Sequence, residues 1–240
     1  SRAAEDDRRA EAPRREARRH HRAAGGLQVP AAGRALPDGR AIAVYHSAQP
    51  EAPRARGTYV ALETNPSAGN FDNEFHAKDS LAGSSMTKAA IWPDADAQKR
   101  ADSNLVHVVW VEGLTAGGSL RHLGYTRGKE TPITPGIFIF STEAIFDSSR
   151  GYIDPIVVAS KTSSRVAIIW THARKGPGTT VGLDRDLVYI QSEVGGADWV
   201  NGFYNSGGDT IVNMTKYSDG DAFRAAGDLT AAYDTSDALI

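Results

Sequence analysis

The sequence contains no cysteine among its 240 residues. This absence excludes a disulfide scaffold, a thiolate metal site and a cysteine nucleophile. The chain also lacks any apolar run that approaches the ~18 residues of a membrane-spanning helix. It has no large charge excess, because 27 basic residues stand against 29 acidic ones. With 40% apolar residues it is nevertheless apolar enough to bury a core.

The charge is unevenly distributed along the chain. Residues 1–26 hold eight arginines and five acidic residues among many alanines, with almost no large apolar side chain. This composition predicts a disordered or loosely helical leader, and a basic arm for nucleic acid or anionic lipid is the alternative. The rest of the chain has more acidic than basic residues, which argues against a nucleic-acid-binding body.

From residue 40 onward the sequence has the pattern of β-strands and turns. Short runs rich in Val, Ile, Thr, Tyr and Trp are separated by clusters of Gly, Pro, Asn, Asp and Ser. No window beyond the leader has helical periodicity, so an all-β fold is predicted. The clearest predicted strands are Arg40–Ser47, Leu105–Glu112, Pro155–Ser160, Arg165–His172 and Asp186–Ser192.

Several of these strands are versions of one another. The runs AIAVY, VHVVW and VAIIW superpose and end at Tyr45, Trp110 and Trp170. In addition, Asp228–Ile240 aligns without gaps on Pro155–Ala167. A repeat of about 60–73 residues with four strands is typical of a β-propeller blade, and a β-sandwich is the alternative. The predicted blades are 27–75, 86–141 and 155–216, with the start of a fourth at 228–240.

The segment after the third strand of the third repeat resembles a known turn. Ser192, Gly196 and Trp199 match the Asp-box, or bacterial neuraminidase repeat, whose pattern is Ser-x-Asp-x-Gly-x-Thr-Trp. Val194 and Asp198 depart from this pattern. The chain from residue 27 therefore resembles sialidase-like β-propellers with degenerate Asp-boxes. The resemblance implies a structural turn whose aromatic residue fills the space between blades.

The other repeats keep less of this box. The first has a trace at Thr64–Phe71, with Phe71 at the aromatic position, and the second begins a box at Thr126 and then loses it. Ile240 aligns with the middle of a strand, whereas propellers of this type close with about six blades. We therefore expect a fragment of a longer protein, or a ring completed by another chain. The resemblance also implies a secreted, periplasmic or cell-surface protein.

The candidate site lies on the predicted face that carries the longer connections. The candidate ligand-binding residues there are Arg150, Asp154, His172, Arg174, Arg224, His46 and Glu112. A guanidinium pairs bidentately with a carboxylate, so a cluster of arginines suits a carboxylated sugar. The Arg-Ile-Pro motif of sialidases is absent, since Arg40 precedes Ala41 and Ile42. The sequence assigns no catalytic residue, cofactor or metal.

These features predict a noncatalytic module that binds a glycan or another protein. The alternative is an exo-glycosidase of the sialidase type, or another polysaccharide-cleaving propeller, with part of its site in missing blades. Two local expectations complete this interpretation. Pro93–Asn104 is expected to be a long charged connection, and His107 a buried histidine of the core or pore.

Overall fold

The computed structural model describes residues 32–47, 57–66, 69–71, 73–79, 88–114, 121–134, 136–141, 144–147, 153–173, 185–199, 212–214 and 229–240. Regular structure in these ranges consists of β-strands, so the all-β prediction is confirmed for this part of the chain. Within the same ranges no helix is long and apolar enough to cross a membrane. The leader at residues 1–26 lies outside them.

The strands form three antiparallel sheets that follow one another along the chain. Sheet 1 contains, in spatial order, β1 (Ala32–Ala35), β2 (Ala41–Ser47), β3 (Gly57–Leu62) and β4 (Asn73–Asp79). Sheet 2 contains β5 (Lys88–Arg100), β6 (Ser103–Leu114), β7 (Arg121–Glu130) and β8 (Phe138–Phe140), and β9 (Ala144–Asp147) also pairs with β7. Sheet 3 contains β10 (Ile153–Ala159), β11 (Val166–Ala173), β12 (Arg185–Ser192) and β13 (Val212–Asn213).

Strand β6 is buried on both of its faces. One core cluster joins sheet 1 to β6 and includes Ile42, Val44, Val106, Val108 and Trp110. A second cluster joins the alternate residues of β6 to sheet 3 and includes Val109, Val111, Val166, Ile168 and Trp170. This two-sided burial explains why the run from Leu105 to Val111 is almost continuously apolar instead of alternating with polar residues.

Carboxylates of β5 connect sheet 2 to the edge strand of sheet 3. Asp94 Oδ2 accepts a hydrogen bond from the Val157 N–H at 2.9 Å. Asp96 Oδ2 accepts one from the Ala159 N–H at 2.8 Å. Strand β10 is the first strand of its sheet, so these N–H groups face away from β11 and need an acceptor from outside it. Because both pairs are 63 residues apart, β5 and β10 run in the same direction.

The predicted long connection at Pro93–Asn104 is wrong. These residues form the end of β5, a turn at Ala101–Asp102 and the start of β6. The acidic side chains that suggested a solvated loop are buried against β10, with Asp94 6% and Asp96 5% exposed. Their charge marks a junction between two sheets, because carboxylates are strong acceptors for backbone N–H groups.

The turns after β3 and β7 share the sequence Glu-Thr-x-x-x-x-Gly and the same hydrogen bonds. The Gly69 N–H donates to Glu63 Oε1 at 2.7 Å, and the Gly136 N–H donates to Glu130 Oε1 at 2.6 Å. In each turn the threonine N–H also donates to the carbonyl that follows the glycine, at 2.9 and 2.8 Å. Both glycines have positive φ, 66° and 88°, which an L side chain rarely adopts.

These turns correct the interpretation of the first two repeats. In the second repeat no turn begins at Thr126, because β7 continues to Glu130 and the turn follows there. In the first repeat Phe71 is 39% exposed and does not fill a space between sheets. The feature common to both turns is the glutamate that accepts the glycine N–H, and not a buried aromatic residue.

The turn after β12 holds the residues that resemble the Asp-box. Ser192 Oγ accepts the Gly196 N–H at 2.9 Å and donates to the Asp198 carbonyl at 2.6 Å. Gly196 has a φ of 69°, and a Cβ there would collide with the Tyr125 hydroxyl of β7. Trp199 is 2% exposed and meets the Tyr125 ring edge-on, with centroids 4.9 Å apart. The turn of sheet 3 therefore packs directly on sheet 2.

A buried ion pair connects sheet 1 to sheet 2. Arg40 Nη2 donates to Glu130 Oε1 at 2.7 Å, and these residues are 6% and 7% exposed. Asn104 Nδ2 donates to Glu130 Oε2 at 2.6 Å and to Asp38 Oδ2 at 3.1 Å. Glu130 therefore supports both its own turn and the junction between the two sheets.

The residues 229–240 form a small hairpin against sheet 3. Tyr233 pairs with Leu239, and the Asp234 N–H donates to the Ala238 carbonyl at 2.9 Å. The predicted turn is present, but its two sides pair through an isolated bridge and not as strands, and the turn is one residue tighter than the one between β10 and β11. The Ser160 hydroxyl donates to Asp237, whose backbone carbonyl accepts from Arg165 Nη1 at 2.9 Å.

Replacing Asp94 with asparagine should change how stability depends on pH. Burial raises the pKa of Asp94 to about 6, above its ordinary value of 3.8. Between pH 3.8 and 6 the Asp94 carboxyl is protonated in the folded state and ionised in the unfolded state. The stability that Asp94 contributes through this proton is therefore complete below pH 4 and is lost as pH rises through 6. We expect Asp94→Asn to be more stable than wild type at pH 7, by about 2–3 kcal/mol at most.

Urea denaturation at pH 7, 5.5 and 4 measures this difference, which should shrink toward pH 4. The matched control is Asp102→Asn, at an exposed turn position close in sequence. A difference that stays constant over this pH range would contradict the prediction.

Replacing Glu130 with alanine should destabilise the fold by about 3–5 kcal/mol, because it leaves Arg40 buried beside only one acidic partner. Glu130→Gln should cost less, since its amide oxygen still accepts the Gly136 N–H. The control is Glu193→Ala, which removes an exposed ion pair with Arg165 and should cost much less, because solvent screens that pair. Similar losses in urea denaturation for both alanine variants would refute the role given to Glu130.

Candidate functional site

The short turns of the three sheets lie along one edge, which we call the turn edge. Asp38, in the turn between β1 and β2, is bonded by Asn104 at the start of β6. Lys161, in the turn between β10 and β11, donates to Asp96 near the end of β5 at 2.8 Å. The turn of the C-terminal hairpin reaches Ser160 through Asp237. Each turn is thus bonded to the neighbouring unit, and the units have the same orientation.

The connections from the third strand of each sheet to its fourth, at residues 63–72, 131–137 and 193–211, also leave from the turn edge. The opposite edge receives the connections from second to third strands and those between units, and we call it the loop edge. Residues 48–56, 115–120 and 174–184 join the second strand of each sheet to its third. Residues 80–87, 148–152 and 215–228 lead from one unit to the next. These segments lie outside the described residues. The strand ends that flank these segments are described, and antiparallel strand order brings all of those strand ends to the loop edge.

Four of the predicted site residues occupy strand positions at the loop edge. His46, Glu112 and His172 fall within the last three residues of β2, β6 and β11. Asp154 is the second residue of β10, which starts at this edge. The other three, Arg150, Arg174 and Arg224, lie outside the described residues, in connections that leave and return at the loop edge.

The strand register adds two residues that sequence reasoning did not select. His122 of β7 lies opposite Glu112, and Asp186 of β12 lies opposite His172. His46 lies opposite Thr58. Only pairing across the hairpin relates these positions. The sequence contains one signal, and only for the residues on the second strands. His46, Glu112 and His172 each follow the repeated aromatic residue by one or two positions.

A surface cavity of about 190 Å³ lies at the turn edge, away from these residues. Its lining consists of Pro37, Asp38, Lys99, Asp102 and Asn104. The amide and carboxylate groups of Asn104 and Asp38 are bonded to each other and to the Arg40–Glu130 pair. Among the described residues no three histidine or acidic side chains are grouped as a metal site. Asp38 and Asn104 therefore have a structural role at the junction of sheets 1 and 2.

The buried histidine His107 belongs to the junction of sheets 2 and 3. Its Nδ1 lies 2.8 Å from the Tyr125 hydroxyl, and its Nε2 lies 3.1 Å from the Gln98 amide. With the Gln98 amide oxygen facing Nε2, the amide nitrogen donates to the carbonyls of Ser160 and Ser163 at 3.2 and 3.1 Å. The tautomer is then Nε2–H, with Nδ1 accepting from tyrosine. His107 is fully buried, which confirms its predicted core position.

The surroundings of His107 keep it neutral. Burial lowers its pKa to about 3, and the positive charges of Arg127 and Lys161 add to this effect. Burial also raises the pKa of Tyr125, so the phenol keeps its proton. Neither side chain reaches solvent. The pair therefore serves as a structural hydrogen-bond network, because a substrate has no access to it.

His107 should make the fold sensitive to acid. Its folded pKa of about 3 lies below its ordinary value of 6.5, so its contribution to stability is present above pH 6.5 and is lost as pH falls toward 3. We expect His107→Gln to be less stable than wild type at pH 7, and to lose less stability on acidification to pH 4. Urea denaturation at both values measures this, and equal losses in the two proteins would contradict it.

No protein-family model matches this chain, and no curated protein matches it. The likeness to sialidase-like propellers therefore rests on the sequence repeat and on Ser192, Gly196 and Trp199.

Proposed function

We propose that the three sheets and the C-terminal hairpin are consecutive units of a sialidase-like β-propeller. Three features support this proposal. Each sheet contains consecutive antiparallel strands, as a propeller blade does. The first strands β5 and β10 lie side by side and run in the same direction. The turn of the hairpin contacts the turn of sheet 3, as the turns of the earlier sheets contact their neighbours.

The function that we propose is that of a noncatalytic module of a secreted or surface protein. It binds a carboxylated glycan at the loop edge. The observation that carries this proposal is the division of the connections between the two edges. At the turn edge, the turns between first and second strands are occupied by bonds between the units. The loop edge has the connections between second and third strands, the connections between units, and the strand positions of His46, Glu112, Asp154 and His172.

The chemistry of the connecting segments favours an anionic ligand. Arg150, Arg174 and Arg224 each lie in a different connection of the loop edge. Connections on a rigid scaffold are the usual location of binding residues, because they vary without disturbing the core. A guanidinium keeps its charge at every physiological pH and pairs bidentately with a carboxylate. A sugar acid offers that carboxylate together with hydroxyl groups for the neighbouring polar residues.

The test compares a carboxylated glycan with its neutral counterpart. Isothermal titration calorimetry with sialyllactose and with lactose should show binding of the first and much weaker binding of the second. Arg174→Ala should weaken sialyllactose binding about tenfold, since it removes a charge-assisted contact. Arg150→Ala and Arg224→Ala are expected to act in the same direction.

The matched control is Arg100→Ala, at the turn-edge end of β5. It removes the same charge from the other edge and should leave the affinity unchanged. Equal weakening by Arg100→Ala and Arg174→Ala would indicate a nonspecific charge effect and would refute the site. A fluorogenic sialoside should not be hydrolysed. Hydrolysis that is lost in Arg174→Ala or Arg150→Ala would refute the binding module and favour the exo-glycosidase.

A further inference from the structure

Three isoleucines of sheet 2 are exposed around the turn that joins β7 to β8. Ile133 in the turn is 92% exposed, and Ile137 and Ile139 are 43% and 66% exposed. Phe138 lies in the core shared with sheet 1, so strand alternation turns Ile137 and Ile139 away from that core. Residues 131–142 contain no charged side chain. The three isoleucines, which we call the isoleucine surface, therefore form an exposed apolar surface outside the described cores.

The fold does not require isoleucine at these positions. The turn after β3 has the same bonds, from the glycine N–H to the glutamate and from the threonine N–H to the carbonyl after the glycine. Aligned on these bonds, Pro66, Asn70 and Asp72 of the first turn take the places of the three isoleucines. Pro66 and Asn70 are exposed like their counterparts. Because the same turn forms without isoleucine, the isoleucine surface serves something other than the turn.

Most N–H groups of the turn are absent or already bonded. Pro132 and Pro135 have no N–H. The Thr131 N–H donates to the Ile137 carbonyl at 2.8 Å, and the Ile137 N–H donates to the Thr134 carbonyl at 3.2 Å. The Thr131 hydroxyl also donates to the Thr134 carbonyl, at 2.8 Å. A turn whose polar groups are bonded internally enters an apolar environment at a lower cost, because fewer of its bonds to water are lost.

The described charges of sheet 2 at the turn edge are mainly basic. Lys129 is exposed and lies directly opposite Ile139, so both residues are on the same face of the sheet. Lys99 is exposed and Arg100 is half-buried at the end of β5, beside the exposed Asp102 of the adjoining turn. Three cations against one anion favour a negatively charged partner at this edge.

We propose that the isoleucine surface docks on an anionic phospholipid bilayer, with Ile133 inserted at the tip. Exposed apolar surfaces mark contacts with proteins or with membranes. Hot spots of protein interfaces are enriched in Trp, Tyr and Arg, and the isoleucine surface contains none of these. A bilayer accepts aliphatic side chains from a protruding turn without a matching pocket. Lys129 then lies close to the headgroups and is attracted by their charge.

This docking would leave the loop edge pointing away from the bilayer, because the two edges lie at opposite ends of the strands. The inference goes beyond the proposed glycan function and does not rest on it. Loss of sialyllactose binding would leave the bilayer proposal in place, and loss of bilayer binding would leave the glycan proposal in place.

Co-sedimentation with phosphatidylcholine vesicles that contain phosphatidylglycerol tests the proposal. We expect the full chain to bind these vesicles, and Ile133→Ser to weaken binding about tenfold, because burial of one aliphatic side chain is lost. Lys129→Ala should weaken binding about fivefold. The matched control is Met214→Ser, since Met214 is 45% exposed in sheet 3 and is bonded to Leu187 toward the loop edge. Equal binding to vesicles of phosphatidylcholine alone would refute the preference for an anionic bilayer.

The arginines of residues 1–26 would also attract anionic vesicles by charge. Vesicle binding that Ile133→Ser leaves unchanged would therefore overturn the proposal. A label tests insertion directly. Because the chain has no cysteine, Ile133→Cys provides a single attachment site for an environment-sensitive fluorophore such as NBD. Its emission should shift to the blue on vesicles, whereas the same label on Met214→Cys should not shift. An unshifted label on Ile133→Cys would refute insertion.

Two other occupants of the isoleucine surface would overturn the proposal. If a second copy of the chain covers it, analytical ultracentrifugation without lipid should show a dimer that Ile139→Ser disperses. If residues outside the described ranges cover it, Ile133→Ser and Ile139→Ser should lower the midpoint of urea denaturation, as replacement of a buried isoleucine does. With a bilayer as the partner, both variants should keep the wild-type midpoint and the wild-type sedimentation.

Discussion

The bonds from the carboxylates of β5 to the backbone of β10 are the interaction on which the arrangement of sheets 2 and 3 depends. The first strand of a sheet has N–H groups that no further strand accepts, and burying them unbonded is costly. Asp94 and Asp96 accept two of them across the junction. They also set β5 and β10 in the same direction, so the apolar faces around Trp170 meet in one core. The buried carboxylate of Asp94, with its raised pKa, is the cost of this solution.

The same chemistry recurs in the turns. Glu63 and Glu130 accept the N–H of the glycine in their turns, and Glu130 also receives Arg40 of the neighbouring sheet. Much of the acidic excess of the body is therefore bonded to the protein's own backbone and is not available to a ligand. The body has more acidic than basic residues, but several of these acids are buried at junctions. This is why the charges at the turn edge do not form a binding site.

The strands were predictable because runs of β-branched and aromatic residues between turn residues are a local signal. The long β5 was not, because its alternating Asp residues resemble a solvated loop until β10 is beside them. The turn after β7 was also missed, because its glutamate and glycine, Glu130 and Gly136, do not follow the Asp-box pattern. For the candidate site, His172 and Glu112 were selected from their position after an aromatic residue. Their partners were missed because register is set by pairing across a hairpin.

The sequence by itself determined that the chain is all-β, that its strands come in repeated units, and where Gly196 and its turn lie. Those features depend on residues close together in the chain, where propensity and periodicity act. The tertiary structure alone decided which acids are buried, which histidine is neutral and which residues face one another across strands. Asp94 and Val157 are 63 residues apart, and His107 is held between Tyr125 and Gln98 from two other strands. No local pattern encodes such contacts, because they form only when the sheets pack and desolvate the groups between them.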